Sequence, residues 1–500
     1  MPDRLLDPTP LPAAARDPVE GSVRRGAGVT LWAERRGGGF LIAAAAADGE
    51  VLAAFDGESS AHDSLAVVRA EPSPGNVAAL RAALPNLVPI PLGVATSAGF
   101  GDRLGLATPG HVDALRASGG AATVRAIFAQ QSMRENARTG RTPLEVVDDA
   151  TLGAFVSGWE GPVGADADHL KLEGEIDLCL DSHYTMFTLD PGEHVDARAD
   201  DLSGAALAAA YEGVPWEGLE SDPDDLRARL GGERVDIGSR SVEFAAGELE
   251  RAAVKYGGAV AHVTRLARHL ERAARGRPYE IEVSVDETAT PTTLGEHLYL
   301  ASELRRLGVA WVSLAPRFVG DFEKGVDYIG DLALLAHDLE GHAALARALG
   351  PYKISLHSGS DKFGVYPIAA AATRGAVHLK TAGTSYLEAL RVAAAHDPDL
   401  MARIVALAIE RFDEDVRTYH ITGRPSGMPD SAALHGSASA ALLEQRDARQ
   451  VLHVTFGSVL ARFGEPLREL LRAHPDAYRS ALRRHFERHL VPFVAPGGAS

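Results

Sequence analysis

The spacing of apolar residues changes character along the chain. Residues 1–26, rich in Pro, Ala and Arg, hold no sustained period and read as a loose arm. β-like runs follow at 29–33, Gly39–Ala46 and 51–55 between glycine-bearing turns, and 76–84 takes helical spacing. Residues 27–86 are thus predicted to be a small α+β lobe for packing or oligomerisation. From residue 87, eight β-like segments recur between helical or irregular stretches: 89–96, 124–132, Val163–Leu170, 185–189, 279–288, 310–318, 352–358 and 376–381. Strands alternating with helices imply a parallel sheet, and eight imply a closed barrel. The predicted fold is α/β, with a (β/α)8 TIM-like barrel over 87–384. An open doubly wound sheet is the rival, but no glycine-rich phosphate fingerprint follows an early strand. An insertion at 196–275, acidic over 196–232 and helical over Glu248–Ala274, is predicted to be a lid over the barrel mouth. Helical spacing at 385–395, 398–419 and 446–487 makes 385–495 a helical extension packed on the barrel, open to a homo-oligomer contact.

Three strand segments separate polar from apolar faces. In 279–288, Ile281, Val283 and Val285 alternate with Glu280, Glu282, Ser284 and Asp286. In 353–357, Ile354 and Leu356 alternate with Lys353, Ser355 and His357, and in 377–380 Val377 and Leu379 alternate with His378 and Lys380. Branched apolar side chains normally fill a barrel, and ionisable groups there are costly unless paired, neutralised or metal-bound. Polar inner faces on three strands therefore point to a site.

Composition narrows the chemistry. A hydrophobic share of 46% and a charged share of 24% exclude a disordered chain. The net charge of −18 makes nucleic acid a poor partner. The single cysteine, Cys179, excludes an intrachain disulfide and a cysteine-based zinc site, so histidine and carboxylate must hold any metal. The start lacks a signal-like apolar run, and the longest apolar stretches fall short of the ~20 residues of a membrane span. A soluble cytoplasmic protein without membrane contact is expected.

His169 and His357 end their strands and His378 lies on the last, so the three could share one rim as neutral imidazole ligands of an open metal site. His111, His262, His337, His342, His420 and His453 read as surface or capping residues, although apolar neighbours would also let His262 and His453 stand behind the ligands. Candidate acid–base groups are Asp166, Asp168, Glu282, Asp286 and Glu287. Asp168 adjoins His169 and by strand alternation faces another direction. Glu282 lies deeper than Asp286, so burial is expected to raise its pKa toward that of a useful acid. Asp286 and Glu287 also suit helix capping. Candidate substrate-binding groups are Gln130, Gln131, Ser132, Arg134, Lys171, Arg317, Lys362 and Lys380, together with Thr384 at a helix start after a glycine turn.

The segments GFGDRLGLATPGH (99–111), IFAQQSMREN (127–136), GADADHLK (164–171), EVSVDETATPT (282–292), YKISLHSGSDKFGVYP (352–367) and HLKTAGTSYLEA (378–389) resemble the tagaturonate epimerase family. The likeness runs in order from about residue 87 to 490; the arm, the lobe and 196–232 lie outside it. It implies interconversion of D-tagaturonate and D-fructuronate in hexuronate metabolism with a divalent metal. It further implies Asp168 as proton acceptor, Glu282 as proton donor, and His169 and His357 as metal ligands. His378 is assigned as third ligand from its place on the eighth strand. Histidine with oxygen donors suits Zn, Mn, Co, Ni or Fe.

Counted from the carboxylate, these sugars differ at carbon 3 and carry the ketone at carbon 5. Carbon 3 is not α to a carbonyl, so its hydrogen is not acidic. Retro-aldol cleavage between carbons 3 and 4, rotation of the aldehyde and re-formation of the bond is the expected route, with the metal stabilising the enolate. Transient oxidation would need a nicotinamide fingerprint, which is missing. The alternatives are an aldose–ketose isomerase of uronates and a non-catalytic sugar-acid binding protein; the latter needs no acid–base pair.

Overall fold

In the computed structural model, which describes residues 13–238, 240–429 and 441–494, the chain begins as an antiparallel sheet. Its strands are β1 (Arg24–Gly26), β2 (Val29–Arg36), β3 (Gly39–Ala46), β4 (Glu58–His62) and β5 (Leu65–Ala70), in the order β1-β2-β3-β5-β4. The helix Pro74–Ala83, capped by Ser73 and opened by a proline in its first turn, follows. The expected strand at 51–55 is instead a 3-10 turn at Gly49–Leu52 and the residues after it, capped by the Asp48 side chain on the Glu50 N–H. β4 escapes the pattern because all five of its residues are exposed, leaving no buried alternation to detect. Residues 1–12 of the expected arm lie outside the described residues. The next stretch is docked: Ala14 and Val23 are buried against Trp32, and Arg69 donates to both Glu34 (2.6 Å) and the Ala14 carbonyl (2.6 Å).

The predicted barrel is present and closed. Its strands are β6 (Ser97–Gly99), β7 (Arg125–Ser132), β8 (Val163–Leu170), β9 (Met186–Leu189), then, after a hairpin of β10 (Arg234–Asp236) and β11 (Ser241–Glu243), β12 (Glu280–Ser284), β13 (Ser313–Ala315), β14 (Lys353–Leu356) and β15 (Val377–Lys380). Every neighbouring pair is parallel, and β9 closes on β12 through Thr188 opposite Glu282. The first barrel strand is therefore not 89–96. That stretch crosses the amino-terminal end of the barrel, where the Leu92 and Gly93 N–H groups donate to Glu280 Oε2 at 3.1 and 2.8 Å.

The apolar members of the alternating strands, Ile281, Val283, Ile354, Leu356, Val377 and Leu379, join the main hydrophobic core. Their polar neighbours are also buried, so charge pairing rather than apolar packing fills much of the barrel interior.

The insertion is not a lid. Its helix Glu248–Ala274 packs beside the helix Leu294–Arg306, in the barrel's outer layer. Buried Lys255 fastens it by donating to Asp200 (3.0 Å), Thr290 (2.9 Å) and Glu296 (2.9 Å). No described residue of 196–275 lines the cavity at the strand ends; Thr418, Tyr419, His420 and His453 of the carboxyl-terminal part do. Residues 430–440 and 495 of the predicted helical extension lie outside the described residues. Among the described residues no helix is long and apolar enough to cross a membrane.

Candidate active site and metal centre

A backbone irregularity in β8 builds the centre. Pairing with β9 jumps from Ala167 opposite Phe187 to Leu170 opposite Leu189, so β8 spends one residue more than its partner. His169 takes the left-handed conformation, φ 54°, which costs energy for a side chain with a Cβ. Alternation would send Asp168 and His169 to opposite faces. The bulge brings both to the mouth, with Asp168 Oδ1 3.8 Å from His169 Nε2. The expectation that Asp168 faces elsewhere is thereby corrected.

His357, just beyond β14, meets this pair, its ring centroid 5.0 Å from that of His169. Asp168, His169 and His357 each offer one ligand atom, all within 4.8 Å of one another. Two imidazoles and a carboxylate are a donor set that fits a divalent cation. His169 is oriented from behind: Asp190 Oδ2 lies 3.2 Å from Nδ1, and Asp190 Oδ1 accepts from the Gly192 N–H at 2.8 Å. His357 stands between two carboxylates, Glu282 at 2.6 Å from Nε2 and Asp286 at 3.0 Å from Nδ1.

His378 does not join this group. It is fully buried lower in the barrel, its Nδ1 2.9 Å from Ser97 Oγ and its Nε2 3.7 Å from Asp166. It faces inward as alternation requires, but its register opposite Ser97 on β6 sets it below the rim. Asp168 is the third converging donor.

Lys380 is the electrostatic hub. Its Nζ lies 2.5 Å from Asp168, 2.9 Å from Asp166, 2.9 Å from Glu282 and 2.7 Å from Thr188 Oγ1. Burial disfavours its charge, yet Asp166, Asp168 and Glu282 outweigh it and hold the ammonium well above the usual lysine range. Burial likewise works to raise Glu282, but Lys380 and His357 hold it well below the usual carboxylate range. The expected elevation of Glu282 is thus reversed, because its neighbours are cations. Asp168 is lowered in the same way, mainly by Lys380 against burial. Burial would depress both imidazoles; Asp168 and the Asp190 hydrogen bond lift His169 to about 9, and Asp286 leads in lifting His357 to about 10.

The remaining candidates divide. Gln130 lines the inner cavity, fully buried, with both amide atoms unpartnered among the described residues. Arg134 lines the inner and outer cavities, 3.5 Å from Glu287. Arg317, Asp286 and Glu287 line the outer cavity, of about 540 Å³. Ser132 lines the inner cavity while capping the helix Met133–Thr139. Gln131, Lys171, Lys362 and Thr384 line neither. Gln131 points toward Thr139 (3.4 Å), and Lys171 is tied to Glu193 (2.9 Å) behind His169. Lys362 spends its ammonium on the carbonyls of Glu323 (2.7 Å), Val326 (2.5 Å) and Ser360 (3.1 Å), and buried Thr384 opens the helix Thr384–His396.

Of the histidines read as surface or capping, His111, His262, His342 and His453 are buried, and His453 and His420 line cavities. Residues the pattern missed are Asp190, Arg103, Lys324, Ser358 and Tyr419. Asp190 carried a usable signal, a carboxylate one step past the fourth barrel strand. A second cluster, Asp361, His485 and His489, also converges. It is an internal brace: His489 Nε2 accepts from the Asp361 N–H at 3.0 Å while its Nδ1 donates to the His485 carbonyl at 3.0 Å.

A family model described as UxaE, tagaturonate epimerase, matches residues 29–492. The chain is 42% identical over 417 residues to the tagaturonate/fructuronate epimerase of Thermotoga maritima, covering 83% of this chain and 84% of that protein. It also superposes on a glycerol-complexed crystal structure of fructuronate-tagaturonate epimerase UxaE from Cohnella laeviribosi with a TM-score of 0.88 and 34% identity, over 95% of this chain and 96% of that one. The native structure of the same Cohnella protein matches equally, with a TM-score of 0.88. The chain belongs to the tagaturonate epimerase family and is an isomerase-class enzyme.

Proposed function

We propose that the chain interconverts D-tagaturonate and D-fructuronate with a divalent cation held by His169 and His357, and that the step is a retro-aldol cleavage and re-addition. The observation that carries this reading is the convergence of Asp168, His169 and His357 within 4.8 Å at the carboxyl end of the barrel, beside Glu282 and Lys380. A cation held by these residues would supply positive charge to the ketone oxygen as negative charge develops there.

Asp168 accepts the hydroxyl proton at carbon 3. The bond between carbons 3 and 4 breaks, giving a three-carbon aldehyde acid and the enolate of dihydroxyacetone. The aldehyde turns over, the bond re-forms on its other face, and the new alkoxide is protonated from the Glu282 side. Glu282 is ionised at rest, so it delivers a proton shared with Lys380 at 2.9 Å. Lys380 bridges Asp168 and Glu282, and it connects acceptor to donor without bulk water. Gln130, with its unpartnered amide, is placed for sugar hydroxyls.

The test is metal-stripped protein assayed on each sugar acid, with Zn, Mn, Co, Ni or Fe added back and the products followed by NMR. Inversion at carbon 3, lost on stripping and restored by an ion, is expected. Undiminished activity after stripping would remove the cation from the reaction, and a moved carbonyl would make the enzyme a uronate isomerase. Rapid quench should trap the three-carbon aldehyde acid; its absence under single-turnover conditions refutes cleavage.

A further inference from the structure

We propose that Lys324 reads the carboxylate of the substrate and that the helix Arg446–Val454 serves the site by holding Lys324 in place; this rests on the reading of the site as one for hexuronates. Arg103, Arg134, Arg317, Lys324 and Lys380 are the lysine and arginine residues lining the two cavities. Two of them, Arg103 and Lys380, are hydrogen-bonded to carboxylates, and two more, Arg134 and Arg317, have a carboxylate within 4 Å. Arg103 donates twice to Glu135, at 2.9 and 2.6 Å, and Lys380 is shared among three carboxylates. Arg134 is 3.5 Å from Glu287, and Arg317 is 3.8 Å from Asp321. Lys324 forms no ion pair among the described residues. Its Nζ donates to Ser358 Oγ at 2.6 Å, next to His357, which leaves further N–H donors free.

Its position fits the role. Lys324 lines both the inner cavity, with Asp168, His169, His357 and Gln130, and the outer one that opens from it. Among the described residues, Lys324 is the one lysine or arginine of those cavities with no carboxylate within 4 Å, and so the one whose charge is not already opposed.

The segment is also braced from outside the barrel. Gln450 Nε2 donates to the Lys324 carbonyl at 3.3 Å and to Glu323 Oε2 at 2.8 Å, and Arg449 Nε donates to the Gly325 carbonyl at 2.7 Å. Three consecutive residues are thus fixed by one carboxyl-terminal helix, which lowers the entropy lost when the lysine engages a ligand. Glu323 Oε2 accepts in addition from the Thr422 N–H (3.2 Å) and hydroxyl (2.9 Å), extending the brace toward the segment that carries Tyr419.

The experiment compares wild type with Lys324→Met and Lys324→Arg. It measures kcat and KM for D-tagaturonate, and Kd for D-tagaturonate and for D-tagatose, which carries a hydroxymethyl group in place of the carboxylate. Lys324→Met is expected to lower kcat/KM for the acid by about 10- to 100-fold, chiefly through KM. It should weaken binding of the acid to the same degree, leave D-tagatose binding within about twofold, and be largely rescued by arginine. Equal weakening of both ligands, or unchanged binding of the acid, overturns the assignment. If wild type turns over neither sugar acid, the proposed activity falls, and the ratio of the two Kd values still decides for or against Lys324.

Discussion

Asp190→Asn is the most informative single change, because Asp190 supports the proposed metal centre without belonging to it. In the native chain Asp190 Oδ2 lies 3.2 Å from His169 Nδ1, which turns Nε2 toward Asp168 at 3.8 Å. Outer partners of this kind contribute about 10- to 100-fold to metal affinity, or roughly 1.4–2.7 kcal/mol. The measured loss depends on pH, and the sign follows from the imidazoles. His169 and His357 are raised to about 9 and about 10, so at pH 7 both carry protons that an incoming cation must displace. Affinity should therefore climb about tenfold per pH unit for each imidazole up to its own pKa. Asparagine removes charge that raises His169, so it relieves proton competition at pH 7 while it weakens orientation at every pH. The expected loss is near the full 10- to 100-fold at pH 9 and smaller at pH 7. Calorimetric titration of the metal-free protein with Zn at both values reads this directly. A loss that is larger at pH 7 than at pH 9, or no loss at either, refutes the role given to the Asp190–His169 contact.

Two further outcomes follow from buried charge. Lys380→Met leaves Asp166, Asp168 and Glu282 without their shared cation, and breaking such a buried cluster costs about 3–5 kcal/mol; urea unfolding at pH 7 should show it, and unchanged stability would mean that the carboxylates share protons instead. Burial holds His111 and His342 down to about 4 and His489 to about 3. The unfolded chain therefore takes up protons below the usual histidine pKa of 6.5 that the folded chain refuses, and stability falls as pH drops from 6.5 toward 4 by about 1.4 kcal/mol per unit for each fully buried imidazole. Tm measured from pH 7 to pH 5 should decline steadily, and a flat profile would contradict neutral burial of these rings.

The barrel was legible because seven of the eight predicted β-like segments are its strands, three of them pairing a buried apolar face with chemistry on the other. The strand Ser97–Gly99 was not, since Ser, Ala and Gly over three residues give no period, while the apolar stretch before it reads like a strand. Asp168, His169, Glu282 and His357 were legible as residues, but their geometry was not. A one-residue bulge is invisible to alternation, and the lowering of Glu282 depends on Lys380, remote in sequence. The covering elements were misassigned for a related reason. An acidic insertion looks like a lid, whereas Tyr419 and Lys324 reach the mouth through contacts no local spacing encodes.

The left-handed turn at His169 limits where this centre could be transplanted. Neighbouring residues on a regular strand cannot both face one site, so copying the motif onto another barrel would send Asp168 or His169 into the outer helical shell. The surplus residue in β8 has to travel with the motif, together with surroundings firm enough to hold that backbone in its unfavourable twist.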